Sequence, residues 1–246
     1  MFNGRNGNDP SIIESCKTRD RVLEREPLKL IIFDFDGTLV DSRSLILESH
    51  RVVFGEFQLP APSPVDSLAL VGKSLDVILT QLAGPTAPIL EMVKAYDLLL
   101  PQLRADSAFA EKPFDGVGDL LYELSSTSDT VLGIATGHRS DTIAPVLEAL
   151  RWNGFFRTIQ AADMAPSKPH PGMLLQALAA TGVAPENAIF IGDTTFDMEM
   201  AQAAQLRSIG VGWGYHQAER LIAAGAHRVA QTVDELRSCI RSAMSE

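Results

Sequence analysis

From Leu28 onward, short apolar runs alternate with stretches of helical periodicity. The runs are IIF near position 31, VLGIAT at 131–136, TIQA near 158, AIFIGD at 188–193 and RSIGVG at 207–212. Between them, Ser140 to Leu150, Gly172 to Ala180 and Phe196 to Gln205 carry the apolar spacing of helices packed on a sheet. Strands joined by helical crossovers imply an α/β fold with a parallel, doubly wound sheet. The interval from Leu45 to Glu111 breaks the rhythm. It has helical periodicity, prolines at 60, 62, 64, 85 and 88, and no convincing strand, so it reads as an inserted helical cap. The expected organisation is a flexible N-terminal extension over 1–26, an α/β core over 27–43 and 112–246, and a helical cap over 44–111. No internal repeat or low-complexity tract interrupts it.

Composition narrows the function classes. A chain of 246 residues can bury a large core and is near the length at which one domain takes on an insert. The 21 Lys and Arg against 31 Asp and Glu give a formal net charge of -10. That balance opposes nonspecific attraction to nucleic acid or to an anionic membrane. Only Cys16 and Cys239 occur, so neither a disulfide framework nor a cysteine metal site can be built, and a reducing cytoplasm is expected. Met1 to Glu26 lacks the continuous apolar region of a secretory signal, and Asp9, Glu14, Asp20, Glu24 and Glu26 spoil a transit-peptide pattern. No run approaches the length of a membrane span.

The strongest chemical signal is LIIFDFDGTLVDS at 30–42, a strand that runs into Asp34 and Asp36 and then a Gly37-Thr38 turn. At a strand's C-terminal end the two carboxylates can converge on one substrate atom, and Gly37 permits the sharp exit. The pair suits a nucleophilic carboxylate that takes a phosphoryl group and a second carboxyl that manages the leaving alcohol's proton. Three further segments fall at expected strand ends or before a helix: Thr136-Gly137, Lys168-Pro169, and Gly192-Asp193-Thr194-Thr195-Phe196-Asp197. A phosphate held beside three carboxylates needs a divalent cation and a Lys to offset repulsion. A hydroxyl and backbone N–H groups then hold its remaining oxygens.

With these motifs the chain resembles the haloacid dehalogenase superfamily, in particular its phosphoglycolate phosphatase-like branch with a helical cap inserted after the first motif. The resemblance runs from about Leu28 to Leu236 and extends to KPHP around Lys168, GDTTFDMEMA and GVGWGYH. It implies that Asp34 becomes an aspartyl-phosphate, Asp36 is the general acid and base, and Thr136 and Lys168 hold the phosphate. It further implies that magnesium is bound by Asp34, the Asp36 carbonyl and Asp193, with Asp197 supporting the metal shell. Departures from the pattern bear on substrate choice. His138 and Arg139 stand where relatives often have Asn and Lys, and with Gly137 they are candidate substrate contacts. Lys73, in the cap sequence Val71-Gly72-Lys73-Ser74-Leu75, is a candidate contact to a substrate carboxylate or second phosphate. Gln205 replaces a glycine usual at that helix end, at the cost of a favoured cap.

The expected function is therefore a magnesium-dependent phosphatase for a small phosphomonoester of the phosphoglycolate or sugar phosphate type, cytoplasmic, monomeric or homodimeric, without nucleic-acid or membrane partners. Asp36 argues against dehalogenase chemistry, because a halide leaves without a proton. Asp36 also disfavours phosphonate cleavage, since those relatives typically carry a small residue there. Sugar phosphomutases share Asp36 but tend to have a His where this chain has Ile46, and Glu-Asp where it has Gly192-Asp193. A receiver-type phospho-acceptor needs no cap, and a non-enzymatic scaffold on a hydrolase fold does not require intact motifs. His50, His170, His216 and His227 show no ligand spacing and are assigned no role. GVGWG at 210–214 lacks the third glycine and following unit of a dinucleotide fingerprint.

Overall fold

The structure is a computed structural model that describes residue 1 and residues 28–245. Beyond residue 1, the extension expected over 1–26, with Cys16, lies outside the described residues. In chain order the strands are β1 (Lys29–Phe33), β2 (Val40–Asp41), β3 (Lys112–Pro113), β4 (Thr130–Ala135), β5 (Phe156–Gln160), β6 (Ala188–Gly192), β7 (Arg207–Val211) and β8 (Arg228–Ala230). The helices are α1 (Arg43–Glu56), α2 (Pro64–Leu68), α3 (Leu75–Ala83), α4 (Ile89–Arg104), α5 (Val117–Ser125), α6 (Ser140–Ala149), α7 (Gly172–Thr181), α8 (Thr195–Ala203), α9 (Ala218–Ala223) and α10 (Val233–Ala243).

Six strands form one sheet in the order β5-β4-β1-β6-β7-β8, with every pairing parallel. The chain begins in the middle at β1, fills one side with β4 and β5, then returns to the other side for β6, β7 and β8. Strand order therefore reverses beside β1, and a crevice opens where the loops leaving neighbouring strands diverge. Alternation along β1 explains why its run is apolar throughout. Leu30 and Ile32 face Met173, Leu174, Ala177 and Met200 of α7 and α8. Ile31 and Phe33 face Val117, Leu120, Ile143, Val146 and Ile240 of α5, α6 and α10. With both faces covered, no polar side remains.

Residues 43–104 hold α1 to α4 and no strand. Their own apolar cluster includes Leu45, Val53, Phe54, Leu79, Met92 and Leu100. This segment leaves and rejoins the sheet through an antiparallel ribbon, with Val40 opposite Pro113 and Asp41 opposite Lys112. At the end of α8, Gln205 adopts φ 58°, a left-handed conformation that costs a residue with a Cβ roughly 1–2 kcal/mol. Among the described residues, no helix is long and apolar enough to cross a membrane.

Candidate active site

β1 runs directly into Asp34, whose backbone N–H donates to the Ile191 carbonyl at 2.8 Å and so continues the β1–β6 pairing by one residue. The ladder thereby fixes where the carboxylate emerges. Lys168 Nζ lies 2.6 Å from Asp34 Oδ1 and 2.8 Å from Asp197 Oδ1, and all three side chains are buried. Asp197 is aimed by a reciprocal cap at the start of α8. The Thr194 N–H and hydroxyl donate to Asp197 Oδ2 at 2.9 and 2.7 Å, and the Asp197 N–H returns to Thr194 Oγ1. Asp193 Oδ1 accepts from the Thr38 hydroxyl at 3.1 Å and Oδ2 from the Tyr215 N–H at 2.8 Å. Gly37, at φ +80°, makes room for this arrangement, since a Cβ there would lie 2.3 Å from Asp193 Oδ2.

Asp34, Asp193 and Asp197 bring carboxylate oxygens within 4.8 Å of one another, a grouping able to hold a metal ion. Asp34 Oδ2 is buried and has no hydrogen-bond partner among the described residues, whereas the other oxygens of the three are engaged. Burial raises the Asp34 carboxyl to about 7 against the pull of Lys168, with Asp197 and Asp36 adding repulsion. Burial, then Asp34 and Asp197, raises Asp193 well above the carboxylate range. At Lys168 the order of strength is burial, which lowers, and then Asp197 and Asp34, which together prevail and raise it. The cluster is short of positive charge. Hard oxygen donors with one unsatisfied atom suit a magnesium-type cation, so these residues fit the group that the sequence implied.

Asp36 is turned away from this cluster. Its Oδ1 accepts from the Ser42 hydroxyl, and its Oδ2 lies 2.8 Å from His138 Nε2. Burial pushes the Asp36 carboxyl up, but His138 and then Ser42 outweigh it and leave it below its usual value. Burial likewise opposes charge on His138, yet Asp36 raises it overall. Ser42 stands at the N-cap of α1 without making a side-chain cap bond, because its hydroxyl serves Asp36 instead.

The helical segment lies against the strand ends. A Cβ on Gly137 would sit 2.4 Å from the Lys73 carbonyl oxygen. The Ser74 N–H donates to Ser167 Oγ at 2.9 Å. His216 Nδ1 accepts from the Thr195 N–H at 3.0 Å, which makes Nε2 the donor to the Ala69 carbonyl at 3.2 Å. Between the two layers is a cavity of about 70 Å³, beside Asp36 and His138 and lined also by Ser42, His50, Tyr96 and Lys73.

Of the residues named from the sequence, Asp34, Lys168, Asp193 and Asp197 converge in one cluster, and Asp36 pairs with His138 at the cavity. Thr136 is buried at the end of β4, and its Oγ1 accepts from the His138 N–H at 3.1 Å, shaping the turn through Gly137. Arg139 caps α6 and pairs with Asp141 at 3.2 Å on the surface side of the cavity. Lys73 directs its ammonium to Gln81 Oε1 at 3.2 Å and over the Phe196 ring at 4.2 Å. Sequence reasoning passed over Ser42, His50, Tyr215 and His216. The signal for two of them was legible: Ser42, Ile46 and His50 repeat at four-residue spacing along α1, on one face.

A family model described as haloacid dehalogenase-like hydrolase matches residues 31–211. The chain is 32% identical over 212 residues to the probable phosphatase IndB of Dickeya dadantii, covering 84% of this chain and 91% of that protein. It is 26% identical over 235 residues to the phosphoglycolate phosphatase of Escherichia coli K12, covering 86% and 92%. Its fold matches the solved haloacid dehalogenase-like family protein SP0104 of Streptococcus pneumoniae with a TM-score of 0.75 and 28% identity, covering 87% of this chain and 98% of that one.

Proposed function

The chain belongs to the haloacid dehalogenase-like hydrolase family, and within it we propose a magnesium-dependent phosphatase that hydrolyses a small phosphomonoester through an aspartyl-phosphate. The observation that carries this reading is the buried Lys168 bridge between Asp34 and Asp197 beside the unpartnered Asp34 Oδ2. In the proposed cycle the Asp34 carboxylate attacks phosphorus, and the ester P–O bond breaks as Asp36 gives a proton to the leaving oxygen. Water then attacks the same phosphorus. Asp36 takes its proton, the Asp34–phosphorus bond breaks, and inorganic phosphate departs. His138, 2.8 Å from Asp36, keeps the pair's proton beside the carboxylate between turnovers.

Lys168, the Thr136 hydroxyl and the Gly137 backbone hold the phosphoryl oxygens in this scheme. Magnesium would be held by Asp34, the Asp36 carbonyl and Asp193, with Asp197 in support, and supplies positive charge against the phosphate when bound. Helices α1 to α4 act as a cap, spanning roughly 44–111, that excludes water over the strand ends and opens for product release.

The direct test is phosphate release from p-nitrophenyl phosphate. Turnover should require added magnesium, stop with chelator, and leave a transient phosphorylated Asp34 detectable by mass spectrometry. Hydrolysis that continues undiminished in Asp34→Asn would sink the mechanism.

A further inference from the structure

Resting on that reading, we infer that the leaving group is a small uncharged alcohol whose own hydroxyl is recognised by His50, and not a carboxylate-bearing one. The cavity beside Asp36 is about 70 Å³, and Leu45, Ile46, Val71, Leu75, Ile78 and Leu100 supply much of its wall. One water needs about 10–15 Å³ of such space, so the cavity has the size of a few waters and suits an alcohol of a few heavy atoms.

His50 enters this space from α1, two turns beyond Ser42. It is 2% exposed, and its Nδ1 has no hydrogen-bond partner among the described residues. The rings of Phe54 and Tyr96 flank it, with centroids at 6.4 and 6.0 Å, and burial pushes the imidazole down to about 4, so it is neutral. A neutral imidazole offers one donor and one acceptor. A hydroxyl, which both donates and accepts, is the smallest group that can answer either.

The cations around the cavity are committed elsewhere. His138 pairs with Asp36, Arg139 with Asp141, and Lys73 turns to Gln81 and Phe196. A carboxylate placed against the apolar wall would be both desolvated and left without a partner of its own. The matching hydroxyl compound meets neither penalty.

Three esters of nearly equal size decide the matter: 2-hydroxyethyl phosphate, ethyl phosphate and phosphoglycolate, compared by kcat/KM on the full chain with magnesium. The hydroxyethyl ester should exceed phosphoglycolate by about tenfold or more. It should exceed ethyl phosphate by between about two- and tenfold, the range of one neutral hydrogen bond. His50→Leu should erase the second advantage, and His50→Gln should keep part of it. A phosphoglycolate rate equal to or above that of the hydroxyethyl ester overturns the inference, as does an undiminished hydroxyl advantage in His50→Leu. The wild-type ratios decide on their own if His50→Leu does not fold. If p-nitrophenyl phosphate is hydrolysed through Asp34 but the ranking is reversed, only this inference falls. If no ester is hydrolysed, the phosphatase reading falls and takes it along.

Discussion

The two sides of the cavity solve the problem of buried polarity in opposite ways. At the strand ends, Asp34, Lys168, Asp193 and Asp197 are buried as one ionisable cluster, each aimed by backbone geometry, a helix cap or a neighbouring ion. Under α1 and α4, His50 is buried as a neutral ring among apolar side chains. Charges held by a rigid sheet can act on any phosphate, whatever it is attached to. A neutral group on a helical layer can discriminate among alcohols without disturbing that machinery. Breaking one side should therefore cost rate, and breaking the other should cost selectivity and remove a source of acid sensitivity.

The largest expected effect is on the charged side. Asp34→Asn should reduce kcat by at least about 10⁴-fold, since it removes the nucleophile, and Asp36→Asn by about 10²–10⁴-fold through lost proton transfer. Steady-state release of p-nitrophenol measures both. Lys168→Met leaves buried carboxylates without their ammonium and should lower unfolding stability by about 3–5 kcal/mol, read from the urea midpoint. A loss below about 1 kcal/mol would mean that the bridge is not what holds the cluster.

His50 gives the contrasting pH signature. Its folded value of about 4 lies below the ordinary 6.5, so as pH falls the unfolded chain takes up the proton first. The associated stability is fully present above 6.5 and is lost as pH drops towards 4, by about 3 kcal/mol in full. Denaturation midpoints at pH 7.5 and 4.5 should therefore converge in His50→Leu relative to the native chain. A parallel fall in both proteins would place the acid sensitivity elsewhere. The smallest effect belongs to a position on neither side of the cavity. Gln205→Gly should relieve the left-handed strain and raise stability by roughly 1 kcal/mol, with kcat unchanged.

The sheet and its polar end were readable from sequence because each depends on short-range rules. A run buried on both faces is apolar without interruption, and Thr194 three residues before Asp197 spells a reciprocal cap. The αL strain at Gln205 was likewise visible as a missing glycine. β8 was not, because three residues at a sheet edge carry too little pattern to register. His138 was expected at the substrate, but its pairing with Asp36 depends on how two loops from different strands meet, which spacing does not encode. His50 was assigned no role because it was weighed as a metal ligand and as the phosphomutase histidine, for which it is out of register. Its face of α1 was legible, but the wall opposite, from α3 and α4, was not.

The β2–β3 ribbon has a consequence for how such molecules diversify. Where paired, the outgoing and returning strands lie side by side, so about seventy residues hang from the sheet by a stem as narrow as a hairpin's. Exchanging everything above the stem would leave the registers of β1, β4 and β6 untouched. A chimaera that keeps 28–42 and 112–245 and carries a foreign insert should fold on the same sheet while choosing a different alcohol.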